Sequence, residues 1–201
     1  MNIRIIKQLD GLLGFMPTWA QVGILLLCYS LSLNASTAGE LDQATLKVLY
    51  SYKFGKFTNW PEAKLNASSD SFQYCILGQN PFPQVTQNMI IGKPIQGIPL
   101  AIDLFDYGLI PEEVLTTCHI LFISKSERHR LATILTRLKQ TPVLTVSDIH
   151  GFSRVGGMIT LVEDHGKLRF QINLDSLQQA GISISSKILE LAEIVNTRQG
   201  L

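Results

Sequence analysis

Apolar side chains recur along this chain with two different periods, and the changes of period mark its elements. From Leu41 to Phe57 the positions Leu41, Ala44, Val48, Tyr52 and Phe57 follow helical steps, and Pro61 ends the segment. Phe72 to Leu77 alternates instead. Phe72, Tyr74 and Ile76 share one face and Gln73, Cys75 and Leu77 the other, which predicts a strand stopped at Gly78. A short helix is expected over Pro83–Ile91, a turn at Gly92-Lys93-Pro94, and a second strand over Ile98–Asp103. His119 to Ile123 is a short apolar run of the buried-strand kind.

Ser124 and Glu127 then have the spacing of a capping box, and Leu131, Ile134, Leu135 and Leu138 form the apolar stripe of the helix behind it. Arg137 and Lys139 favour the dipole at its C-terminal end, and Pro142 stops it. Val143–Val146 is the fourth strand, Gly151–Gly157 a loop, and Met158–Val162 the fifth strand. Asp164-His165-Gly166 turns the chain into a sixth, in which Leu168, Phe170 and Ile172 alternate with Arg169, Gln171 and Asn173. These last two read as a hairpin. Leu174–Ala180 is helical, and a terminal helix is expected from Ser185, with Ile188, Leu191, Ala192 and Val195 on one face. Strands separated by helices and closed by a hairpin predict an α/β three-layer sandwich with a mixed, about six-stranded sheet flanked by helices.

The N-terminus follows a third pattern. Arg4 and Lys7 precede an apolar core at Ile24–Leu33, and small residues follow at Ala35-Ser36-Thr37-Ala38. A basic segment, a short apolar core and a small-x-small site make an export signal, with cleavage expected after Ala38. The core is short of the ~20 apolar residues that a spanning helix needs. The expected organisation is a signal peptide over 1–38 and a single domain over 39–201, periplasmic after export.

Composition sharpens this picture. The chain carries 17 Lys and Arg against 16 Asp and Glu. Residues 1–38 hold Arg4, Lys7 and Asp10, so the mature domain is neutral. A neutral domain offers no basic face for nucleic acid and no polybasic patch for anionic lipid. Cys28 leaves with the signal, while Cys75 and Cys118 remain in an oxidising compartment. They either pair, closing a loop worth roughly 4 kcal/mol, or stay as two separate buried thiols.

Candidate chemistry is sparse. The turn after the first strand, Gly78-Gln79-Asn80-Pro81-Phe82, has neither a dinucleotide glycine pattern nor a phosphate-loop lysine. Gly156-Gly157 precedes a strand and reads as close backbone packing or a bulge. His119, His129, His150 and His165 show no metal-ligand spacing. Asp148 and His150 share a loop, but no nucleophile motif accompanies them. No catalytic residue, metal or cofactor is assigned, and the expectation is a binding protein rather than an enzyme.

Taken in order, Val48-Leu49-Tyr50, Lys56-Phe57-Thr58-Asn59-Trp60-Pro61, Tyr74-Cys75-Ile76-Leu77-Gly78, Gly92-Lys93 with Gly97, and Cys118 to Ile123 resemble the YfiR-like family of periplasmic proteins. Val143–Asp148, Gly151-Phe152, Gly156-Gly157-Met158-Ile159, Phe170–Asn173, Ala180-Gly181 and Ser185-Ser186-Lys187 extend the resemblance over nearly the whole mature domain. The resemblance implies a repressor that binds the periplasmic sensor domain of an inner-membrane diguanylate cyclase, controlling cyclic-di-GMP and biofilm formation. It further implies an outer-membrane lipoprotein as a second partner, a homodimer, and Cys75–Cys118 as the disulfide. A second disulfide near the Gly-Gly-Met segment in the best-understood member has no cysteines to match it here. A small-ligand sensor acting on a membrane sensor kinase is the alternative. For the partner contact, the apolar group Phe152, Met158, Leu168 and Phe170 is the candidate. Leu168 and Phe170 also alternate as core positions, which leaves Phe152, in a loop, as the strongest of the four.

Overall fold

The computed structural model describes residues 37–67, 70–82, 88–106 and 110–197. Residues 1–36 of the expected signal, and most of the short helix expected over Pro83–Ile91, lie outside the described residues. The chain divides into two compact units, Met1–Asp42 and Gln43–Leu201, and the second is the α/β body.

Helix α1 (Thr37–Lys56) leads into the two-residue strand β1 (Thr58–Asn59) and the short helix α2 (Glu62–Ala67) behind Pro61. Strand β2 (Phe72–Leu77) falls where the alternation predicts it. Strands β3 (Pro94–Ile95) and β4 (Ile98–Phe105) form a hairpin across Gln96-Gly97, whose φ values of 50° and 84° suit a type I′ turn. Helix α3 (Glu112–Thr116) precedes β5 (Ile120–Ile123). A 3-10 turn over Lys125–Arg130 runs into α4 (Leu131–Leu138), and β6 (Leu144–Ser147) follows. A second 3-10 turn, Phe152–Val155, precedes the hairpin β7 (Ile159–Asp164) and β8 (Lys167–Asn173). Helix α5 (Leu174–Gln179), strand β9 (Ser183–Ile184), helix α6 (Ser186–Leu189) and strand β10 (Glu193–Val195) complete the body.

The main sheet has eight strands in the order β10-β8-β7-β6-β5-β2-β4-β3, and β1 pairs separately with β9. Strands β4, β2, β5, β6 and β7 run parallel, whereas β7–β8 and β3–β4 are antiparallel. All six expected strands are present. The two additional ones are the edges, β3 and β10, each too short to show a period.

The parallel strands are buried on both faces, as crossover helices on both sides require. Phe72, Tyr74, Ile76, Ile120, Phe122, Leu144 and Val146 join Val48 and Phe54 of α1 and Leu177 of α5 in one core. Cys75, Leu77, Leu121 and Ile123 join Val114 of α3 and Leu131, Ile134 and Leu138 of α4 in the other. The result is the expected three-layer sandwich. Helix α1 sits so close to the sheet that a Cβ on Gly55 would lie 2.7 Å from Ile95 Cδ1 and 2.8 Å from Ile120 Cδ1. A helix-interior glycine costs about 1 kcal/mol, and here it permits the close approach.

Two local expectations are corrected. The terminal helix stops at Leu189; Leu191 is 71% exposed, and Glu193–Val195 pairs in parallel with Gln171–Asn173. The apolar spacing fits a helix, but the open edge of β8 offers partners to Glu193–Val195, and Ile194 and Val195 are β-branched. The capping box does not form either. The Ser124 side chain makes no cap bond, and the Glu127 carboxylate is buried against Arg130 Nη1 at 3.2 Å. Glu127 N–H instead donates to the Ser124 carbonyl at 3.0 Å, a turn bond.

Candidate functional site

Three places bring polar side chains together, beginning with a buried corner at the entry to β5. Cys75 in β2 and Cys118 just before β5 are bonded, with their Cα atoms 5.9 Å apart. Beside them the Gln73 N–H donates to His119 Nδ1 at 3.1 Å, and the His119 N–H donates to the Gln73 carbonyl at 3.0 Å. The His119 ring stacks on Phe72 at 4.2 Å, and Trp60 meets it edge-on at 6.2 Å. Because Nδ1 accepts, the ring proton sits on Nε2. That N–H and the Trp60 Nε1–H are buried with no hydrogen-bond partner among the described residues.

Lys64 reaches this corner from α2 and donates to the carbonyls of Thr116 (2.6 Å) and Leu115 (3.4 Å) at the end of α3, where a cation also meets the helix dipole. Burial lowers Lys64 to about 8. Burial, then the Lys64 charge, lowers His119 to about 4. The corner therefore holds a neutral imidazole and a partly desolvated ammonium, with both thiols consumed in the disulfide.

The second place is at the carboxyl ends of β2, β5 and β6. The chain goes from β2 to β4 on one side and later to β5 on the other, so the gap between β2 and β5 is the point where open α/β sheets commonly bind ligands. Here it is filled. The Gln79 N–H donates to Ser126 Oγ at 3.0 Å, and a Cβ on Gly78 would lie 2.8 Å from Glu127 Cγ. Gly78 also has φ +86°, so glycine meets both requirements. Behind β6, Asp148 accepts from Lys47 Nζ at 2.7 Å and pairs with Lys125 Nζ at 3.4 Å. His150 points to solvent. The Asp148–His150 pair considered from sequence is not assembled, because the carboxylate is held by two lysines.

The third place is an open groove of about 610 Å³ at the amino-terminal ends of β6 and β7. Leu135, Thr145 and Met158 contribute to its lining, and Lys139, Asp175 and Gln178 give it polar groups. No group of three or more potential metal ligands occurs among the described residues.

The apolar contact candidates are relocated. Phe152, Met158 and Phe170 are buried and Leu168 is half-buried, so these side chains pack in the core. Phe152 turns inward because the 3-10 turn folds it over Gly157, where a Cβ would overlap its ring. Met158 is held by its N–H donating to Thr145 Oγ1 at 3.0 Å, and Phe170 packs on Phe54 with ring centres 5.0 Å apart. The large apolar side chains that do face solvent include Ile91, Leu104, Val155, Leu191 and Ile194. Leu104 lies just past the second strand expected over Ile98–Asp103; the structure extends that strand to Phe105 and leaves Leu104 exposed near its end.

A family model described as YfiR/HmsC-like matches residues 44–193. That span covers more than half of the chain and runs from α1 to β10, taking in both cores, the disulfide and the filled crevice. No helix among the described residues is long and apolar enough to cross a membrane. The α/β sandwich with its Cys75–Cys118 staple is thus the fold of a member of the YfiR/HmsC-like family, to which this chain belongs.

Proposed function

We propose that this chain is a periplasmic regulator that binds the periplasmic sensor domain of an inner-membrane diguanylate cyclase and holds the enzyme in its inactive state. The family match over residues 44–193 carries this reading. The buried Cys75–Cys118 disulfide suits an oxidising compartment, in line with the export signal read from residues 1–38. Both thiols of the first place are consumed in the disulfide and Asp148 of the second is held by two lysines, which favours regulation by contact over catalysis. Such a protein controls an enzyme across a membrane by binding one conformation of the sensor more tightly than the other. An outer-membrane lipoprotein that competes for the regulator, and a homodimer as the working form, belong to the same reading.

Deleting the gene and measuring cellular cyclic-di-GMP tests it. The level should rise, and return to normal only when the complementing copy carries residues 1–38. An unchanged level, or full complementation by a copy lacking the signal, would refute the proposal. The groove of about 610 Å³ favours a second reading, a small-ligand sensor acting on a membrane sensor kinase. A thermal-shift screen with amino acids, nucleotides and vitamins separates the two, since a ligand that raises the melting temperature would support the sensor.

A further inference from the structure

Among the described residues, strand β4 is hydrogen-bonded on only one side over its second half. The Phe105 carbonyl accepts from Gly78 N–H at 2.8 Å, on the β2 side. Leu100 bonds the opposite way, donating to the Lys93 carbonyl at 3.1 Å and accepting from Gly92 N–H at 2.9 Å. Backbone groups alternate along a strand, so those of Ile102 and Leu104 point outward with Leu100. Strand β3 covers only Ile98 and Pro99. Among the described residues, no backbone group pairs with the outward groups of Ile102 and Leu104.

Proteins usually blunt such edges with charge. The free part of β8 follows that rule, carrying Lys167 and Arg169, and beside it Glu193 of β10 is paired with Arg154 at 3.0 Å. The free part of β4 carries a single acidic charge, Asp103, and no cation. Leu104 is 59% exposed, flanked by exposed Asp103 and Asp106, neither of which has a cationic partner among the described residues.

We propose that an extended segment of the membrane partner's periplasmic domain docks here as an added strand beside β4. Its backbone pairs with the outward groups of Ile102 and Leu104, an apolar side chain covers Leu104, and a Lys or Arg faces Asp103. This mode takes its affinity from main-chain bonds and its selectivity from alternate side chains. A second copy of this chain fits poorly. Two-fold antiparallel pairing of Ile102 with Leu104 centres on Asp103 and sets two carboxylates opposite each other, which is destabilising, and centring on Leu104 sets Ile102 opposite Asp106, beyond the end of β4 at Phe105. Centring on Ile102 places Leu104 against Leu100, whose groups are already bonded to Gly92 and Lys93. The proposal rests on the regulatory reading above and adds to it where the partner binds.

The test uses the mature protein and the purified periplasmic domain of the cyclase, with affinity measured by calorimetry. Leu104→Pro removes an outward N–H and an exposed side chain but no bond to β2, so the fold should tolerate it. Its melting temperature should match the wild type while affinity falls roughly tenfold or more. Asp103→Lys should weaken binding as well, and the Ile102 and Leu104 amides should exchange more slowly in the complex. If both variants bind like the wild type and those amides gain no protection, the edge proposal is wrong and the regulator stands. If the wild type does not bind the domain, both fail. If Leu104→Pro dissolves a dimer and leaves partner binding unchanged, the occupant is a second copy and the proposal is overturned.

Discussion

His119 makes the stability of this domain depend on pH, with a sign and size that follow from its surroundings. The ring is buried on Phe72, accepts the Gln73 N–H at Nδ1, and shares its corner with the Lys64 ammonium. Burial and that neighbouring charge both oppose protonation and hold the folded value near 4, against 6.5 for a free histidine. As pH falls below 6.5 the unfolded chain takes up a proton that the folded chain refuses. The contribution is therefore complete above 6.5, shrinks as pH falls, and is gone below about 4. At about 1.4 kcal/mol per pK unit, the full loss is about 3 kcal/mol, of which about 2 kcal/mol has gone by pH 5. Urea unfolding of wild type and His119→Gln between pH 7.5 and 5 isolates the effect, because carboxylates common to both cancel in the difference. Glutamine does not titrate, and its amide oxygen can still accept the Gln73 N–H. The wild type should lose about 2 kcal/mol relative to the variant over this range. Parallel stability curves, differing by a constant to within about 0.5 kcal/mol, would show that the folded ring titrates like an exposed one and would refute the reasoning.

Other perturbations probe the packing. Replacing Cys75 and Cys118 with alanine opens a loop of sequence separation 43 and should cost about 4 kcal/mol in urea unfolding; no change would mean that the loop is already restrained in the unfolded chain. Gly157→Ala drives a methyl into the Phe152 ring and should cost about 1–3 kcal/mol, while Phe152→Ala, which empties a fully buried site, should cost about 3–5 kcal/mol. Adding Gly157→Ala to the Phe152→Ala variant should then cost little, and strictly additive losses would show that the two residues do not share a space. Asp148→Asn leaves Lys47 and Lys125 facing each other without a carboxylate, and should cost about 1–2 kcal/mol with a dependence on salt; a salt-independent, unchanged melting temperature would remove the ion pair from the account.

Much of the fold was legible because local pattern reports which side chains share a face. The alternation of Phe72–Leu77 divided its residues into the sets that the structure assigns to two separate cores. The His165-Gly166 turn marked the β7–β8 hairpin, and both residues have positive φ, 48° and 73°. The spacing from Ile188 to Val195 misled because it fits a helix, whereas the open edge of β8 captured Glu193–Val195 as a strand. Phe152 misled for a related reason. It lies in a connecting segment, where exposure is the usual outcome, yet Gly157 leaves room for its ring to fold inward.

By itself the sequence determined the α/β class, the six principal strands, an export-signal pattern, and two cysteines left in the mature domain. Tertiary structure alone decided that β2 and β5 are neighbours, which brings Cys75 to Cys118, and that Lys64 and Trp60 close over His119. It also decided that the second half of β4 has no strand on its outer side among the described residues. Periodicity is a property of neighbours along the chain. Burial, strand order and edge exposure arise when segments distant in sequence compete for the same faces and the same backbone hydrogen bonds, and that competition is settled only once the whole sheet has formed.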